Sequence, residues 1–412
     1  MRSSNRGPMA RQPTHLENAA LLSLGGAGYG ALMFVWFALA AYLGPVIADL
    51  GLTSTEAGVL VGAIPLMYIP LGLASGLVID RLGARVGIAV GVALAGLGQL
   101  GRAFAPEFAS MLALTLVMGV GATGLTFGLP KLAAELYPAD RVGQAASVYL
   151  IGSYAGTATA FALGRPLVGP ALGGWRPLFV ASGLATLAIA GLWTLVAWRV
   201  PAGTHETDDD GAFTLGSLTA DLRAVLGHRD LRLLVLLGTM YLFVLHGVQG
   251  WLVTILETRG IDAGLAGTAT SLVVVGQAAA VLVVPAVAER YGRTREALVA
   301  CGALAFVGVL GLVVETVVVP FVVAAVLLVG FGMGGLAPLI RAIPVDLDGI
   351  GPALTGTAVG LVFAVGEVGG FLGPVLIGAL RDATGSFAPG LLACALGAIV
   401  AAGAGAAILE LD

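Results

Sequence analysis

Twelve long apolar stretches, each bounded by charged or turn residues, dominate this chain. They fall at about 21–48, 55–79, 84–105, 109–137, 142–167 and 176–198, then 231–256, 265–288, 295–315, 317–342, 352–380 and 386–409. A helix needs about 20 apolar residues to cross a bilayer core of about 30 Å. Twelve such helices need about 240 residues, and 58% of the 412 residues are apolar. Only 11% are charged, against about a quarter in a soluble domain, so a cytosolic enzyme is excluded. The 63 glycines carry no Gly-X-Y period and suit close helix packing in lipid. The expected fold is an all-α membrane protein of twelve transmembrane helices.

One long polar stretch, Arg199 to Asp230, divides the spans six and six. The expected organisation is an N-terminal tail 1–20, a six-helix bundle 21–198, a linker 199–230, a second bundle 231–409 and a C-terminus 410–412. In the linker Leu215, Leu218, Leu222 and Val225 recur at helical spacing, which predicts a short interfacial helix. The first apolar run follows Arg2, Arg6 and Arg11 as a signal peptide's would. It is too long for that and lacks a convincing cleavage site, so it reads as a span. With the N-terminus inside, fifteen Lys and Arg residues fall on the inner side and five (Arg102, Arg165, Arg176, Arg259, Arg381) on the outer. The positive-inside rule then puts both termini and the linker in the cytoplasm of a multi-pass cell-membrane protein.

The halves repeat. Gly76-Leu-Val-Ile-Asp80-Arg81-Leu-Gly83-Ala-Arg85 after span two has a weaker copy, Pro285-Ala-Val-Ala-Glu289-Arg290-Tyr-Gly292-Arg293-Thr-Arg295, after span eight. Gly119, Gly121 and Gly124 in span four return as Gly330, Gly332 and Gly335 in span ten, and Glu135 falls on Asp346. Both glycine sets spell G-x-G-x-x-G, but a dinucleotide site needs a preceding strand and a soluble helix. Within a membrane span they read as packing surfaces. Cys301 and Cys394 lie in apolar runs as small packing residues, and no metal-ligand spacing occurs. No cofactor and no nucleic-acid partner is expected.

The G-x3-D-R-x-G-x-R loop between spans two and three, its copy and the 6+6 plan resemble the major facilitator superfamily. The resemblance implies two pseudo-symmetric bundles, a midplane substrate site and rocking alternating access, as in repeat-built transporters. It also implies a cytoplasmic latch of Gly76, Asp80, Arg81, Gly83 and Arg85. Asp80 would face a helix N-terminus of the opposite bundle, and Arg81 or Arg85 would reach Glu135. Glu289, Arg290 or Arg293, and Asp346 would form the second copy. Spans seven to ten loosely resemble cyanate permease and related small-anion transporters, through Gly276-Gln277-Ala278-Ala279, Pro285-Ala286-Val287-Ala288 and the run Gly330–Gly335 leading to Pro338-Leu339. The proton-driven drug exporters of the superfamily carry an arginine where Thr115 stands here.

Ionisable groups at membrane depth are functional hypotheses by default. Glu367, near the middle of span eleven, is a group that can take up and release a proton. His246 in span seven shares a helical face with Thr239 and Gln249 and could carry a proton or contact substrate. Arg165 near the outer end of span five, and Lys131 with its mirror Arg341, are candidate anion-binding groups. Trp36, Tyr68 and Tyr154 are candidate cavity-lining aromatics, and Tyr68 and Gln277 occupy mirrored mid-span positions. The expected function is secondary active transport of a small organic solute, with an anion as a candidate, coupled to protons, by a monomer without covalent chemistry. A proton-driven exporter of amphipathic compounds is the second reading, and a non-transporting receptor the remote third.

Overall fold

A computed structural model describes residues 14–200, 227–347 and 352–408. Among these, twelve helices are long and apolar enough to cross a membrane. They are α1 His15–Ala41, α2 Ser54–Leu82, α3 Ala84–Arg102, α4 Phe108–Leu136, α5 Ala139–Leu172 and α6 Trp175–Arg199. The second set is α7 Arg229–Thr258, α8 Ala263–Tyr291, α9 Thr294–Val313, α10 Val319–Asp346, α11 Pro352–Thr384 and α12 Ala388–Ala406. The expected interfacial helix at Leu215–Val225 and the arginines of the N-terminal tail lie outside the described residues.

Each half packs in the same way. α1 lies on α5, α2 on α4, and α3 on α4 and α6, while α7 lies on α11, α8 on α10, and α9 on α10 and α12. The glycine sets of α4 and α10 make this packing possible. An added Cβ on Gly121 would sit 2.6 Å from Gly91 O and 3.0 Å from Ala95 N, and one on Gly332 would sit 2.6 Å from Ala305 N. The helix backbones touch there, as small-residue contacts allow. Gly83 and Gly292 end α2 and α8 with φ of +85° and +62°, a region open chiefly to glycine.

Two spans are less regular than their hydropathy predicts. The first apolar stretch breaks at Tyr42 into α1 and a short helix Leu43–Leu50. Pro45 has no N–H to give, and its ring opposes the carbonyl four residues back, on Ala41. In α5, residues Ala160–Val168 form a π-helical segment containing Pro166, a widened turn that is rare and common at functional sites.

The bundles meet chiefly through α2 against α11 and α5 against α8. One face of the molecule carries the arginine-rich loops and the other the arginine-poor ones. The bundles join at the arginine-poor face, where an added Cβ on Gly62 would sit 2.8 Å from Phe371 O and one on Gly267 2.7 Å from Phe161 O. Toward the arginine-rich face they part, and an added Cβ at Gly76, Gly143 or Gly360 would meet nothing.

Candidate functional site

At the bundle interface, α7 and α11 bring His246 and Glu367 together, with Nε2 3.9 Å from Oε2. That is beyond hydrogen-bond range, and Glu367 Oε2 is buried with no hydrogen-bond partner among the described residues. Gly370, one turn along α11, leaves the room: an added Cβ there would lie 2.5 Å from that oxygen and 3.3 Å from His246 Cδ2. From the opposite bundle Trp36 stacks on His246 at 5.9 Å and 25°. Tyr68 lies 6.1 Å from Trp36 and 6.4 Å from Phe127, and its hydroxyl is 2.8 Å from Thr126 Oγ1. Gln249 and Gln277 are both buried, and the amide of the first donates to the second at 3.3 Å.

Nearer the arginine-rich face, Arg341 on α10 is exposed. Its guanidinium lies 4.3 Å over the Phe363 ring and donates to Ala337 O at 3.2 Å. Among the described residues it has no carboxylate partner. Tyr29 and Tyr149 pack at 6.3 Å. An exposed guanidinium resting on an aromatic ring can hold an oxyanion. The Glu367–His246 pair can hold and pass a proton.

Arg165 lies elsewhere. The π-helical segment carries it across the bundle interface to Glu257, with Nε 2.8 Å and Nη2 2.5 Å from Oε1 and its guanidinium 4.6 Å over Tyr42. Nearby, Asp382 at the end of α11 accepts from Ser54 N at 2.9 Å, Thr55 N at 2.7 Å and Thr55 Oγ1 at 2.6 Å. The two N–H groups are free donors of the first turn of α2. Both contacts bind one bundle to the other at the arginine-poor face.

At the arginine-rich face the contacts run within a bundle. Asp80 accepts from Lys131 at 2.5 Å. Arg85 donates to the carbonyls of Ala197, at 2.9 Å, and Val200, with Glu135 in electrostatic reach. Arg295 does the same in the second half, donating to Ile408 O at 2.8 Å. The last arginine of each loop motif therefore closes the last helix of its own bundle. Arg81, Glu289 and Arg290 are exposed, Arg290 lies 5.8 Å from the Tyr291 ring centroid, and Arg293 Nε is 3.9 Å from Glu296 Oε1. Asp346 closes α10.

Sequence reading did not single out Glu257, Asp382, Tyr29, Tyr149, Tyr241 or Phe363. Glu257 and Asp382 sit at span ends, where a charge reads as a boundary marker. The aromatics sit in apolar runs, where core and cavity positions look alike.

Two six-helix bundles of matching internal packing that meet around buried ionisable groups have the architecture of a membrane transporter. The chain belongs to the Major Facilitator Superfamily, whose sequence model matches residues 26–374 and 250–411. It is a multi-pass membrane protein that moves small solutes, and not an enzyme. A protein of Agrobacterium vitis named for tartrate transport is 26% identical over 83% of this chain and 82% of its own. The 3-(3-hydroxy-phenyl)propionate transporter of Escherichia coli is 26% identical over 97% and 96%. The cyanate transport protein of the same organism is 26% identical over 84% and 86%. Among solved structures, a D-xylose-proton symporter superposes with a TM-score of 0.77 at 16% identity, covering 96% of this chain and 98% of that one.

Proposed function

We propose that this protein is a proton-coupled transporter of small organic anions that works by rocking between states open to either side of the cell membrane. The observation that carries this is a pair of buried ionisable groups at the bundle interface, Glu367 and His246, with Arg341 nearer the arginine-rich face. Arg341, without a carboxylate partner among the described residues, offers a charge for an anion. Glu367, with an unbonded oxygen facing His246, offers a proton site at the bundle interface. The relatives named above transport tartrate, a hydroxyphenylpropionate and cyanate, all anions at neutral pH. In this reading the arginine-rich face is cytoplasmic, the structure is the inward-open state, and the protein acts as a monomer.

Rocking needs contacts that hold one face and release the other. Arg165–Glu257 and Asp382 on the α2 N-terminus hold the outer face. Asp80, with Gly76, Arg81, Gly83 and Arg85 around it, is the matching inner latch. It stands at the cytoplasmic end of α2, as Asp382 stands at the outer end of α11. Each acid would cap the other helix when its own face closes.

Proteoliposomes given 3-(3-hydroxyphenyl)propionate, tartrate or cyanate test the reading. At least one should accumulate, and faster when the outer solution is acid. Flux of tetraphenylphosphonium with none of the three anions would establish the exporter of amphipathic compounds instead. An absence of any net flux would favour a receptor.

A further inference from the structure

The first apolar stretch breaks beside the ion pair that joins the bundles at the arginine-poor face. Tyr42, the residue at the break, is buried. Its ring lies 4.6 Å from the Arg165 guanidinium. Its hydroxyl donates to Gly164 O at 3.0 Å, with Arg165 O 3.4 Å away. Two residues on, Gly44 lies against the other member of the pair, where an added Cβ would sit 3.4 Å from Glu257 Oε2. The break therefore sets a ring on the cation and a glycine on the carboxylate.

The π-helical turn of α5 needs a partner of this kind. Gly169 N–H bonds to Gly164 O, and Pro170, next in that register, has no N–H to give Arg165 O. A carbonyl left without a donor inside a span is costly, and the Tyr42 hydroxyl is the donor brought to it. Gly169 permits the approach, since an added Cβ there would overlap Tyr42 Oη. The ring does a second thing. A guanidinium lying over an aromatic face is held in orientation, and Arg165 turns one edge, Nε and Nη2, to Glu257 Oε1.

Resting on the reading that this pair is a gate that opens and closes, we infer that Tyr42 is its positioning residue. The hydroxyl fixes the π-helical turn, and the ring aims the guanidinium edge at Glu257. Tyr42 acts on transport through Arg165.

Spin-label distances across the arginine-poor face of the full-length protein in lipid nanodiscs test this. Tyr42→Phe keeps the ring and loses the hydroxyl, and should raise the outward-open fraction relative to inward-open about fivefold. Tyr42→Leu loses both and should raise it at least about twentyfold. Because Tyr42 works through the ion pair, adding Tyr42→Leu to Glu257→Gln should change the ratio by less than about twofold. Gly169→Ala, which displaces the ring, should match Tyr42→Leu and add nothing to it. Tyr42→Phe is close enough in shape to carry the test if Tyr42→Leu misfolds. Full, multiplying effects of Tyr42→Leu in the Glu257→Gln background would show a packing role alone and overturn the inference. Unmoved distances in both Tyr42 variants, with Glu257→Gln still shifting them, would overturn it and leave the gate standing. Unmoved distances with Glu257→Gln would overturn both.

Discussion

Glu367 is set apart by what does not surround it. Its Oε2 is buried without a donor among the described residues, 3.9 Å from an imidazole that stacks on Trp36 of the other bundle. Buried polar groups are nearly always paired, and in the proposed mechanism this exception at the bundle interface is where a proton comes and goes. Glu367→Gln keeps the shape and removes the ionisation. Proteoliposomes of that variant should exchange substrate across the membrane but lose acceleration by a pH gradient. Gradient-driven accumulation that persists would move the proton site elsewhere. The depth of Glu367 and His246 was legible because depth in an apolar run is a property of one segment. Arg165 was legible as a charge but not as a partner of Glu257, because that pair joins residues 92 apart in the chain. The Asp382 contacts span 328 and 327 positions, and no local pattern records them.

At the scale of the helix, glycine has two different uses here, and substitution separates them. Gly121 lets α4 touch α3, so Gly121→Val forces a branched side chain into backbone 2.6 Å away. It should destabilise by about 3 kcal/mol, seen as a lower thermal midpoint and poor recovery from the membrane. Gly191 on α6 has nothing within 4 Å of an added Cβ. Gly191→Ala should be neutral or stabilising by up to about 1 kcal/mol, the helix-propensity difference. Equal loss from both would mean that the packing reading of these helices is wrong. The repeat of Gly119, Gly121 and Gly124 in α10 announced this packing in the sequence. Hydropathy hid the break at Tyr42 and the π-helical turn of α5, because Pro45 and Pro166 change backbone geometry without changing apolarity. The second matters for function, since that turn presents Arg165 to Glu257.

Across the whole molecule, α2 and α11 run antiparallel and meet along the bundle interface. Each carries an aspartate near its C-terminal end, Asp382 against the N-terminal turn of α2 and Asp80 at the face where the bundles part. In this structure the contact at the arginine-poor face is made, with Asp382 accepting three hydrogen bonds from Ser54 and Thr55, and Asp80 is paired within its own bundle to Lys131. A carboxylate at a helix N-terminus contributes about 1 kcal/mol when exposed, and that contribution exists only while its own face is shut. Asp382→Asn should therefore raise the outward-open fraction about fivefold relative to inward-open. Glu257→Gln should act in the same direction and more strongly, since its partner Arg165 is largely buried. Asp80→Asn should shift the balance toward inward-open and slow transport without loss of folding. Spin-label distances across each face, measured on the four variants, would report the populations directly. Because the two aspartates act on opposite states of one equilibrium, Asp80→Asn combined with Asp382→Asn should return the distances toward those of the unaltered protein. If both single variants moved the distances the same way, the two ends of α2 and α11 would not be alternating latches.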